Sequence, residues 1–198
     1  MLQQLISWDY IAWYQVHVIW QHPVLDYLLP FMRNQWTWAP LYLFLLVFMP
    51  KNFGRKGWLW CLGFLVTFAI ADYVSASLIK PYFLRLRPCN DPKIMHLVRY
   101  LVDCGSGKSF PSTHATNHFA LAFFAIITLY KRYKIVGPLA LLWAILVAYS
   151  QVYVGVHFPL DVICGAILGG TVGIITGKLY NKRYKMLRPK PANPNSPG

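Results

Sequence analysis

Residues 149–161 read YSQVYVGVHFPLD and set Ser150, Gln151, His157 and Asp161 where an apolar helix meets its loop. Pro159 suits the first position of a helix, so His157 falls just before a helix start and Asp161 in its first turn. A carboxylate at that distance accepts the proton on one imidazole nitrogen, fixes the tautomer and leaves the other nitrogen free to attack. The bland alternative is a satisfied polar pair. Ionisable groups at membrane depth are nevertheless functional candidates by default.

Two further polar clusters precede this one. In KPYFLRLRPC, residues 80–89, Lys80 ends an apolar run, Pro81 discourages further helix, and Arg87-Pro88 follows. Snorkelling to the headgroups accounts for Lys80 alone and poorly for three cations within eight residues, so the cluster reads as anion binding. In GSGKSFPSTH, residues 105–114, Ser112 is placed to cap the helix that continues through HATNHFALAFF. Free backbone N–H groups beside a hydroxyl make a phosphate seat. His114 lies in the first turn of that helix. His114 and His118 stand four apart, a metal-pair spacing, but no Asp or Glu lies near them in sequence, and no metal is expected. A nucleophile with its orienter, a second His for acid work, several cations and a helix N-terminus are the parts needed to hydrolyse a phosphate monoester or diphosphate.

The elements that must position these residues are membrane helices. The 198 residues are 57% hydrophobic and 13% charged, with mean hydropathy +0.40 and net charge +13, which favours a bilayer over water. The Lys and Arg residues sit in short clusters between apolar runs, which argues against a nucleic-acid partner. Five apolar segments, roughly 36–50, 57–79, 113–131, 135–154 and 158–180, are long enough to cross or nearly cross a hydrocarbon core of about 30 Å. The expected fold is all-α, a polytopic bundle of five to six spans in one domain over 36–188. Residues 1–35 read as an amphipathic, interfacial segment, with LISWDYIAWYQVHVIW at 5–20 suited to a helix in the headgroup layer, and 189–198 as a disordered tail. The first thirty-two residues contain no Lys or Arg, so no cleavable signal peptide is expected. The basic loops at 51–56 and 131–134 and the basic tail fall on one side, the cytoplasmic one by the positive-inside rule. The 80–112 loop and the 154–158 turn, with all three polar clusters, then share the outer face. Cys61 and Cys164 lie inside spans and read as packing residues. Cys89 and Cys104 both lie in the outer loop. Bridged, they would close about fifteen residues, worth about 3 kcal/mol, the alternative being two unlinked thiols.

The chain resembles the type 2 phosphatidic acid phosphatase superfamily, whose active-site plan is shared with vanadium-dependent haloperoxidases. The family's motifs are Lys, six residues, Arg-Pro; Pro-Ser-Gly-His; and Ser-Arg, five residues, His, three residues, Asp. Here they read KPYFLRLRP at 80–88, PSTH at 111–114 and SQVYVGVHFPLD at 150–161. The resemblance implies that His157 forms a phosphohistidine, that Asp161 orients it, and that His114 protonates the leaving group. It implies that Lys80, Arg87, Ser112 and the backbone at Thr113 hold the phosphoryl oxygens, with no metal or other cofactor. Two positions depart from the pattern. Thr113 replaces the motif glycine, and Gln151 replaces the motif arginine, an amide without charge or a bidentate fork. Arg85 or Lys108 is expected to compensate.

The leading expectation is a bacterial inner-membrane enzyme whose site faces the periplasm or exterior. It would hydrolyse undecaprenyl diphosphate, phosphatidic acid, phosphatidylglycerol phosphate or a lipid A-type phosphate. A lipid phosphotransferase differs only in the acceptor. A non-catalytic lipid-phosphate binder or transporter is the alternative from another class; the His157–Asp161 pair, which binding does not need, weighs against it.

Overall fold

The structure is a computed structural model that describes residues 1–105 and 107–184; the expected tail at 189–198 lies outside them. Among the described residues it is all helical. The helices are α1 (Leu2–Tyr14), α2 (Pro23–Arg33), α3 (Ala39–Phe53), α4 (Arg55–Asp72), α5 (Thr113–Leu129), α6 (Val136–Tyr153) and α7 (Pro159–Tyr184). A wider turn, Tyr73–Ile79, carries α4 onward to Lys80–Tyr82.

Three helical segments, Arg55–Tyr82, Val136–Tyr153 and Pro159–Tyr184, are long and apolar enough to cross a membrane. The other two expected spans are shorter helices, α3 of 15 residues and α5 of 17. α3 follows a separate turn at Gln35–Trp38, and α5 starts at the Ser112 cap. Within residues 1–35, α1 runs on through a wider turn at Gln15–Ile19. The chain breaks between Trp20 and His22, and α2 restarts with Pro23 at its first position.

The core is α5, packed most extensively on α7 and then on α6 and α4. Small residues make this possible. A Cβ at Gly169 would stand 2.0 Å from the Thr116 carbonyl oxygen, and one at Gly165 2.6 Å from that of Ser112. Backbone therefore touches backbone along the seam, as close-packed membrane helices require. That contact sets the register of α7 on α5, and one turn before Gly165 the backbone N–H of Ser112 donates to the Asp161 carbonyl at 3.0 Å. The seam thus brings the start of α5 against the start of α7. At the same end α6 reverses through Gly155, at φ 79°, and the Gln151 carbonyl accepts from the N–H groups of both Val156 and His157 at 3.2 Å. Connectivity places the 83–112 segment at this end too.

Candidate active site

His157 and Asp161 meet at the head of α7, 2% and 0% exposed. Their closest approach is 3.6 Å, from Nδ1 to Oδ2. Ser109 sits between them, its hydroxyl donating to Asp161 Oδ2 and lying 3.4 Å from His157 Nδ1. The Phe158 N–H also donates to Oδ2, at 2.9 Å. Asp161 thus faces Nδ1, and Nε2 makes no hydrogen bond to any described residue. An imidazole with its proton held on Nδ1 keeps the Nε2 lone pair for a nucleophilic role. Burial pushes the His157 imidazole down to about 4, against the pull of Asp161, so the ring is neutral near pH 7.

The other Asp161 oxygen, Oδ1, accepts from Arg85 Nη1 at 2.7 Å. Arg85 Nη2 forms a second ion pair with Asp9 of α1. Asp9 is 3% exposed, and its Oδ1 accepts from the Leu160 N–H at 2.8 Å. The Arg85 guanidinium also lies 4.2 Å from the centroid of Phe158, whose ring packs on Tyr10 and Trp13. Arg85 is therefore engaged by two carboxylates, and Gln151 is not among its hydrogen-bond partners in the described residues. Asp9 was not legible as a site residue; its one signal was a carboxylate in an aromatic stretch. Ser109 was hidden in a loop that reads as a flexible spacer.

The remaining motif residues form a cationic wall. The charge of Arg87 acts on Lys80, His114 and His157, which places the four in one neighbourhood. Arg87 Nη1 donates to the Cys104 carbonyl, while its buried Nε has no partner among the described residues. Burial holds Arg87 below the ordinary arginine value, with Asp161 opposing. A Cβ on Gly105 would come within 3.0 Å of Arg87 Nη1, so the glycine loop closes directly over this guanidinium. Cys104 and Cys89 are disulfide-bonded, Cα atoms 6.0 Å apart, which ties the Arg87 segment to that loop. Ser112 caps α5, its Oγ accepting from the Ala115 N–H at 3.4 Å. The Thr113 hydroxyl is buried and lacks a partner. Lys108 is half-buried beside Ser109. His118 turns from the site, packing on Trp143 with ring centroids 4.8 Å apart. Gln151 is fully buried, and its Oε1 accepts from Arg33 Nε at 3.2 Å. Arg33, at the end of α2, was not among the expected site residues. Its signal was in the sequence: it is the sole Lys or Arg among the first fifty residues.

His157 is a neutral, oriented imidazole at one end of the helical bundle, within electrostatic reach of Arg87 and Lys80, an arrangement suited to phosphoryl transfer. The comparisons agree. The PAP2 superfamily model matches residues 58–185, and the chain belongs to that family. It is 35% identical over 154 residues to lipid A 4'-phosphatase of Bacteroides thetaiotaomicron, covering 76% of this chain and 68% of that protein. It is 33% identical over 164 residues to the Porphyromonas gingivalis protein of the same name, covering 81% and 68%. The crystal structure of a transmembrane PAP2-type phosphatidylglycerolphosphate phosphatase from Bacillus subtilis superposes with TM-score 0.68 at 26% identity, covering 93% of this chain and 90% of that one. The chain is an integral membrane phosphatase of the PAP2 kind.

Proposed function

We propose that this phosphatase hydrolyses a lipid phosphate through a phosphohistidine at His157. Nε2 attacks phosphorus, the bond to the lipid oxygen breaks, and His114 gives that oxygen its proton. His114 then takes a proton from water as it attacks the phosphohistidine, releasing inorganic phosphate and the free imidazole. Lys80, Arg87, Ser112 and the Thr113 backbone hold the equatorial oxygens, where charge builds up in the transition state. The observation that carries this reading is Asp161, whose contacts to Ser109, Phe158 and Arg85 leave it facing Nδ1 and keep Nε2 free.

The relatives favour one substrate class. Two of them are lipid A 4'-phosphatases, so a lipid A-type phosphate ranks ahead of undecaprenyl diphosphate, phosphatidic acid and phosphatidylglycerol phosphate. The site faces the outside of a bacterial inner membrane. The Cys89–Cys104 bridge supports that side, since disulfides persist in oxidising compartments.

The test is phosphate release from a panel of these lipids by detergent-purified protein, with a chelator present and His157→Ala beside it. Release that survives chelation and disappears in the variant is expected, together with an acid-labile phosphoenzyme on rapid quench. Full activity in His157→Ala would sink the mechanism. For topology, a Cys introduced at 90–108 should react with an impermeant thiol reagent in intact cells; labelling at 131–134 instead would invert the orientation.

A further inference from the structure

The family arginine missing at Gln151 leaves a gap that α2 fills. Arg33 is the last residue of α2, because Asn34 turns the chain extended at ψ 127° and stops the helix. From there its guanidinium reaches across 118 residues of sequence to Gln151 on α6. The Gln151 amide is well suited to hold it: its Nε2 is directed to the Val147 carbonyl and Ser150 Oγ at 3.4 and 3.3 Å, which leaves Oε1 to accept from Arg33 Nε. That is the only side-chain hydrogen bond of Arg33 among the described residues, and it goes to a neutral amide.

A cation at a helix C-terminus often serves the helix dipole, but such a residue bonds the last carbonyls of its own helix. Arg33 bonds another helix. The Gln151 that it bonds also accepts the His157 N–H at its carbonyl, at 3.2 Å, so Arg33 is tied to the residue that holds the His157 backbone, and its charge acts on His114 and Arg87. Burial first and Arg87 second pull Arg33 below the ordinary arginine value, and Asp103, the carboxylate that opposes this, is itself exposed. Half-buried like charges that form no ion pair among the described residues favour an anion between them. The acidic groups nearby do not fill that role, since Asp161 and Asp9 are both engaged by Arg85.

We propose that Arg33 is a phosphate-binding residue of this site, held by Gln151 and standing in for the arginine of the family's third motif. The Nη groups, which make no hydrogen bond among the described residues, present a planar fork to the phosphoryl oxygens, which an amide at 151 cannot supply. The proposal rests on the lipid-phosphatase reading above, and the experiment separates the two.

Arg33→Gln, Arg33→Lys, Gln151→Arg and the pair Arg33→Gln/Gln151→Arg are compared with the unaltered chain in detergent, by turnover of the preferred lipid phosphate and by thermal stabilisation with inorganic phosphate. Arg33→Gln is expected to melt near the unaltered protein, to lose about 10²-fold in kcat/KM, and to require at least about tenfold more phosphate for the same shift. Arg33→Lys should fall between, and the pair should regain at least about tenfold of the loss, because the charge has returned on α6. Arg33→Gln with unchanged kcat/KM and unchanged phosphate response overturns the proposal. So does a folded double variant no better than Arg33→Gln, or an Arg33→Gln protein that does not fold, which would assign Arg33 to packing. If the unaltered chain releases no phosphate from any lipid, the lipid-phosphatase reading fails, while the phosphate-induced shift still decides the role of Arg33.

Discussion

Arg85 and Arg87 stand two residues apart and build opposite walls of one site. On the Arg85 wall every charge is matched: Asp9 and Asp161 share the guanidinium, and Ser109 and two backbone N–H groups complete the carboxylates. On the Arg87 wall the charges are unmatched. Arg87 and Arg33 both act on His114, Lys80 lies within electrostatic reach of Arg87, and the Arg87 Nε and Thr113 Oγ1 atoms are buried with no partner among the described residues. The lesson is that a cation's work is set by what faces it. One arginine holds Asp161, which faces His157, in place, and the other forms no ion pair among the described residues.

The largest effect tests the point where the walls meet. His157→Ala should lower phosphate release by about four orders of magnitude or more with the melting temperature little changed, as loss of a covalent nucleophile does. The walls themselves come next. Arg85→Ala strands two buried carboxylates and should cost about 3–5 kcal/mol of stability, read as a large fall in thermal midpoint. Arg87→Ala leaves no carboxylate unpaired; it should lower kcat/KM about 10²-fold with a far smaller change in melting. Equal melting losses in the two variants would erase the distinction between the walls. A smaller effect is expected from Cys89→Ser with Cys104→Ser. Opening a loop of sequence separation 15 should remove about 3 kcal/mol and raise KM, because Arg87 is anchored on the Cys104 carbonyl.

The cationic wall was largely legible in the sequence and the matched wall was not. Lys80, Arg87, Ser112, His114 and His157 stand in motifs whose spacing survives in any single chain, and the bundle follows from apolar runs that need only local reading. Asp9 reaches the site through contacts separated by 76 and 151 residues, from a helix whose sequence pattern says only that it is amphipathic. Local periodicity cannot report such a pairing. The ion pairs of Arg85 were hidden for the same reason: a cation beside the motif reads as a spare for Gln151 until the carboxylates across from it are known.

The smallest effect probes a single atom of the unmatched wall. Thr113 occupies the motif's glycine position, and its hydroxyl is buried without a partner. A hydroxyl in that state costs stability, so Thr113→Val, which keeps the shape and removes the oxygen, should leave the melting temperature unchanged or raise it, by up to about 1 kcal/mol. If the hydroxyl is kept to donate to a phosphoryl oxygen, the same substitution should raise KM several-fold, as loss of a net hydrogen bond of about 1 kcal/mol does. The two readouts then move in opposite directions. A wall built only for packing would improve in melting and keep its KM. One built to be completed by an anion gains stability when empty and loses affinity when filled. Melting curves taken with and without inorganic phosphate measure both sides of that trade in one protein.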